Sequence, residues 1–369
     1  MNRLTCSLLG IAIGLLFGLP GLATAQSGVE KRWQQKTNVN VDAQPVKDFI
    51  QELCDKHKVD VEFDPSVEKD QYSVTPFSLT ADGVTFGSVI DLACESSELV
   101  YGTGNGKLLI STAGADDMNM YVVQYPLAPL GPIPEPALFA SGIQSLNNGY
   151  WKELAGDGGE VKVTPQSLDI LQNRRTHAEL EKLFDVIASA NSGRPRPPTQ
   201  KEKAEQLLLR KLQSPRVLPA ESISVKDCLD QLLKKGGIPY WIHAQDLADH
   251  GIQLDQLMVM GDGKKMSIGA RLDAILADTP LGWRVKDEVV QITSREYLTP
   301  KMVPRVYDVR RLITPDRTPQ TMASELIENA EFGPWAEAEG DGGHVMALNQ
   351  FLVVFQTDAI HAKLAAALK

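Results

Sequence analysis

The sequence predicts an α+β chain of tandem small modules, arranged A–B–linker–A–B. Three observations predict it. First, Trp151 to Leu180 returns as Trp335 to Leu364 at a constant offset of 184, with 13 of 30 positions identical and no gap. Average composition would give roughly two by chance, so a fold unit has been copied. Second, Pro45-Val46-Lys47-Asp48 is echoed by Ser224-Val225-Lys226-Asp227, and Thr85-Phe86-Gly87 by Ser267-Ile268-Gly269. Third, Ser192 to Pro198 is rich in Pro, Gly and Arg and stands between the copies as a linker.

The first 25 residues read as a secretory signal peptide. Arg3 supplies a positive start, Leu8 to Leu19 an apolar run, and Ala23-Thr24-Ala25 a small-x-small cleavage site. A membrane anchor needs about 20 apolar residues, and this run is shorter and ends in Pro20-Gly21. Cleavage near Ala25 implies a mature chain that is extracytoplasmic, periplasmic or secreted, with no transmembrane segment. The net charge of −10 becomes one unit more negative when the leader and Arg3 are removed. That balance repels nucleic acid and anionic membrane surfaces. An apolar content of 43% is ample for several packed cores.

The A units, residues 36–113 and 214–295, are expected to hold two helices with small sheets. In the first, Val46, Phe49, Ile50, Leu53 and Cys54 form one helical face, and Phe86, Val89, Ile90, Ala93 and Cys94 another. Strands are expected at Asn38 to Val41, Val59 to Phe63 and Phe77 to Leu79. A hairpin follows around Gly-Thr-Gly-Asn-Gly, echoed by Trp283 to Thr293. Those glycines do not make a phosphate loop, since strands flank them on both sides. Ala113 to Asn119 reads as an acidic connector.

The B units, residues 119–190 and 302–369, read strand, helix, strand, strand, helix, with Asn173 and Thr357 capping the last helix. Residues 191–213 combine the Pro-rich linker with a charged helix expected to space the halves.

Taken together, these features resemble a known family. The A units resemble the short N-terminal domain shared by secretins and TonB-dependent receptors. The features that carry this are Val39-Asn40-Val41, Pro45 to Ile50, Val59 to Pro65, Thr85 to Asp91 and a hairpin ending in Leu109-Ile110. The B units are similar to the ring-building periplasmic domains of secretins, on Gly343-His344-Val345, Asn349, Phe351 to Val354 and the helix at Asp358. Two departures stand out. Thr164 to Ser167 replaces the usual Asn bend, and no β-barrel domain follows, so the chain makes no pore by itself. The resemblance implies modules that stack and meet other envelope proteins.

Against it stands a short inventory of chemistry. The six histidines show no metal spacing, and no cysteines sit two residues apart. His177 and His361 are equivalent and read as core-edge residues bonded to backbone. Asp157 and Asp341, in the repeated Gly-Asp-Gly-Gly, are the best acids in loops, although Asp-Gly is foremost a turn signal. Trp151 and Trp335 read as lids over small cores, with partner recognition as the other use. Cys54 falls opposite Leu233 and Cys94 opposite Leu276, both on core-facing helix positions. A disulfide between them and a pair of buried free thiols are both open, because geometry decides.

No catalytic residue, cofactor or metal ligand is expected. The leading expectation is a non-enzymatic extracytoplasmic interaction or assembly protein, with envelope proteins or itself as partner. A cell-envelope hydrolase working through the acidic loops and a sensory adaptor are the alternatives.

Overall fold

The computed structural model describes residues 28–369, except 70–71, 105, 132, 134–135, 147–149, 153–155, 194–197, 299–301, 340–341 and 369. The expected signal peptide lies outside the described residues, as does Asp341. The fold is α+β, built from small mixed sheets with helices packed on them.

The first A unit runs α1 (Gly28–Trp33), β1 (Lys36–Pro45), α2 (Val46–His57), β2 (Val61–Phe63), α3 (Pro65–Lys69), β3 (Pro76–Thr85), α4 (Phe86–Ser96), β4 (Leu99–Gly104), β5 (Lys107–Thr112) and α5 (Ala113–Met118). The faces expected on α2 and α4 are the buried ones. Burying two such stripes is what holds α2 and α4 between the β1–β3 pair and the β2–β5–β4 sheet. The acidic connector at Ala113 to Asn119 is helical, because the Thr112 hydroxyl caps it by accepting from Ala115 N. Trp33, in α1, packs against Phe86 and Tyr101.

The first B unit has β6 (Tyr121–Pro126), α6 (Pro136–Leu146), β7 (Glu160–Val163), β8 (Ser167–Gln172) and α7 (Arg174–Ser192). After α8 (Gln200–Leu212) the second A unit follows. It has β9 (Pro215–Val217), β10 (Ser222–Ser224), α9 (Val225–Leu229), β11 (Tyr240–Ile242), α10 (Ala244–Asp249), β12 (Met258–Met260), β13 (Lys265–Ser267), α11 (Ile268–Leu276), β14 (Leu281–Lys286) and β15 (Val289–Ser294). The second B unit has β16 (Val303–Asp308), α12 (Pro319–Glu328), α13 (Ala336–Glu339), β17 (His344–Leu348), β18 (Phe351–Gln356) and α14 (Asp358–Ala367). Asn173 and Thr357 cap α7 and α14 as expected, each side chain accepting a backbone N–H three residues on.

The halves do not stand apart across their linker. Strand β3 of the first A unit pairs antiparallel with β11 of the second, Thr80 opposite Tyr240, so one five-stranded sheet spans both. Trp241 and Val289 on that sheet enter the first A unit's core. The B units share a core in the same manner. Met346, Leu348 and Val353 of the second pack with Phe139, Ile143, Leu183 and Ile187 of the first. At the contact, a Cβ on Gly142 would lie 2.2 Å from the Met346 sulfur, so any larger residue there would force the Met346 side chain to move.

The repeat itself shows why this packing runs one way. At the offset of 184, Met346 corresponds to Lys162, Leu348 to Thr164 and Val353 to Asp169. The same outward sheet face is therefore apolar in the copy that is covered and polar in the copy that is bare.

Candidate functional site

The repeated loops were the first candidates, and their Trp residues are buried. Trp151 and Trp335 are 0% and 1% exposed. Each bridges the second glycine of its Gly-Gly pair, Trp151 to Gly159 and Trp335 to Gly343. A Cβ on either glycine would come within 2.5 Å of a Gln side chain and a carbonyl oxygen. The Gln is the repeated one. Gln172 Nε2 donates to Tyr150 O at 2.7 Å while its Oε1 accepts from Asn173 N at 2.8 Å. Gln356 does the same with Pro334 O and Thr357 N, both at 2.8 Å. The repeated Gln is thus a latch between the loop and the cap of the last helix. Asp157 is exposed and accepts a hydrogen bond from the Tyr150 hydroxyl.

The repeated histidines are tied in the same manner. His177 Nε2 donates to Tyr121 O at 3.0 Å and its Nδ1 accepts from the Tyr125 hydroxyl at 2.9 Å. His361 matches it with Val303 O at 2.7 Å and the Tyr307 hydroxyl at 2.8 Å. Both ring nitrogens are used, which fixes the neutral tautomer. Burial lowers both pKa values, outweighing the backbone bonds that oppose it.

Cys54 and Cys94 are free, buried thiols in this structure. Burial pushes Cys54 up to about 12 and Cys94 higher still, with the nearby Asp55 and Asp91 charges adding to it. Such thiols are inert packing groups.

The densest polar cluster lies where no candidate was expected, at the seam between the two A units. Lys201, from the supposed spacer helix α8, binds Asp91 Oδ2 at 2.9 Å and also Asp287. Asp91 accepts from the Tyr101 hydroxyl at 2.5 Å, and Asp287 from Gln291 Nε2 at 3.2 Å. Glu95 takes Arg284 and Lys286, each at 2.7 Å, and the Tyr297 hydroxyl at 2.8 Å. Glu288 meets Lys36 Nζ at 3.0 Å and Thr85 N at 2.5 Å. Burial raises the Asp287 carboxyl and the nearby Asp91 charge adds to it, while Lys201 and Lys286 oppose. Burial also works against the Lys201 ammonium, but Asp91 and Asp287 outweigh it and raise its pKa.

The β14–β15 turn carries the two acids, and both have left-handed backbones, φ 56° at Asp287 and 62° at Glu288. The sequence at the matching position of the first A unit reads Asn105-Gly106, the residue pair such a turn prefers. Left-handed non-glycine residues cost of order 1–3 kcal/mol each, and here the surroundings hold them. That departure from Asn-Gly was the one sequence signal for the seam.

Among the described residues, no group of three or more His, Cys, Asp or Glu side chains is arranged to hold a metal ion. Nor is any helix among them long and apolar enough to cross a membrane. The cluster at the seam is fully engaged in joining the halves.

No protein-family model matches the sequence, and no curated protein matches it. Solved structures do show a distant likeness. The GspC–GspD complex from the type II secretion system of enterotoxigenic Escherichia coli matches at 14% identity and a TM-score of 0.16, over 43% of this chain and 99% of its own. A dimeric mutant of the N-terminal domain of the secretin XcpQ from Pseudomonas aeruginosa matches at 11% identity and a TM-score of 0.15, over 49% of this chain and 85% of its own.

Proposed function

We propose that the chain is a non-enzymatic, extracytoplasmic interaction protein whose modules bind modules of their own kind. One observation carries the reading: the two halves already do this to each other. A sheet edge of one A unit, β3, accepts strand β11 of the other, and the sheet face of one B unit is covered by the helices of the other. Recognition of this type uses backbone pairing for affinity and inward side chains such as Trp241 for specificity. The repeated loop residues support the same view, since Trp, Gln, Gly and His are each engaged in holding the fold. The leader-like first 25 residues support a role in the cell envelope, and envelope proteins are the partners to expect.

Cross-linking the mature chain in its native envelope, followed by capture, tests the proposal. Recovery of a protein built from similar small α+β modules is the expected result. Turnover of a peptide or peptidoglycan substrate that is lost in Asp157→Asn or Asp341→Asn would replace this reading with the hydrolase.

A further inference from the structure

A stripe of apolar side chains is left bare on the outer face of the second A unit. Met258 and Met260 on β12 are 57% and 70% exposed, and Val217 on β9 is 57% exposed. The first A unit has Pro76, Ser78 and Asn38 at the matching positions. The B units show what such a difference between copies means in this molecule. There the apolar copy of an outward face is the covered one, and the polar copy is bare. Single exposed apolar residues are ordinary, but three along one ribbon mark a contact, the short β9–β13 and β10–β12 pairs being joined by the Gly261 N to Glu221 O and Gly263 N to Leu218 O hydrogen bonds.

The two ends of this face carry opposite charge. Lys264 and Lys265 lie at the β9–β13 end, Lys265 directly opposite Val217 and so on the same face, and Asp262 there is held by Arg271 Nη1 at 2.6 Å. At the β10–β12 end, an open depression of about 680 Å3 is lined by Glu221, Asp227 and Asp255, with Lys226 the one cation and Met258 at its rim. A two-fold axis through the middle of the face would lay the basic end of one copy over the acidic depression of another. It would also bring the Met258–Met260 stretch of each copy against Val217 of its partner. We infer that this face docks a second copy of the chain, related by two-fold symmetry.

A head-to-tail chain of copies is disfavoured by the same unit. The edge that β3 uses in the first A unit is interrupted in the second at Gly261 to Gly263. There the buried Arg271 holds both Asp262 and the Lys264 carbonyl. An interrupted, charged edge is a poor template for strand addition. The two-fold contact instead closes after two copies.

Ten residues along two strands, at about 3.3 Å rise and 4.8 Å spacing, cover roughly 300–400 Å2 per copy. A standard interface buries about 800 Å2 per partner, so this dimer is weak and, being charge-matched, sensitive to salt. The inference stands apart from the proposed function, since a self-contact here neither needs nor excludes an envelope partner elsewhere.

Sedimentation equilibrium of the mature chain from low to high micromolar concentration, at low and high salt, tests it. A reversible dimer that weakens in salt is expected, with Met260→Glu weakening it by about tenfold or more. Lys265→Glu and Asp255→Arg should each weaken it, and the double swap should restore it, because each new charge meets its opposite in the partner copy. All three positions are exposed, and unchanged melting curves would verify that folding is intact. A monomer under every condition overturns the inference. So does a dimer indifferent to Met260→Glu, or one that the double swap fails to restore.

Discussion

Trp335 closes the core of the second B unit, and its indole N–H has no partner among the described residues. Its contribution is therefore packing alone. Trp335→Ala should cost about 3–5 kcal/mol in chemical denaturation, and a near-zero cost would mark it as a recognition residue instead. His177 and His361 make a second case at this scale. Their pKa values lie below the ordinary 6.5, so below that pH the unfolded chain binds more protons than the folded one. The stability they contribute is complete above 6.5 and is lost as pH falls through the folded values. His177→Phe with His361→Phe should lower stability at neutral pH and flatten its decline into acid. An unchanged slope in denaturant midpoints between neutral and acidic buffer would contradict this assignment. These residues were legible in the sequence because the repeat places each twice, on equivalent helix faces.

At the scale of elements, helix faces and caps could be read directly, since apolar spacing and cap chemistry are local. What each face packs against could not, because both copies of a unit carry the same inward pattern. The outward positions held the missing information. Met346 against Lys162 and Val353 against Asp169 distinguish a covered sheet from a bare one. Helix α8 resembles a spacer in sequence for a related reason: its Lys201 looks like any surface lysine until Asp91 and Asp287 are brought beside it. Removing that cation leaves two carboxylates facing each other at the seam. Lys201→Met should destabilise the chain by about 2 kcal/mol or more, even though the lysine itself is partly exposed. The loss should shrink in acid. Asp287 titrates above its ordinary range, so the folded state takes up protons more readily and gains stability as pH falls through that window. Equal losses at neutral and acidic pH would show that Lys201 contributes packing rather than charge.

At the scale of the whole molecule, the Pro-rich linker suggested two halves with few contacts between them, and the structure joins them by a shared sheet and a shared core. A linker between duplicated halves does not by itself make them independent. The first half alone would bare the edge of β3, the part of its core that receives Trp241 and Val289, and the helix surfaces that Met346 and Val353 cover. The second half would bare those same side chains. Each fragment, cut between residues 192 and 200, should therefore melt early and with low cooperativity. Mixed in equal amounts, the two should recover a single cooperative transition near that of the intact chain, because the contacts that join them need no covalent link. Calorimetry of the fragments, apart and together, decides the point. A first-half fragment that alone melts as sharply and as high as the whole chain would mean that the seam adds nothing to its stability, and the halves would then be partners only by tether.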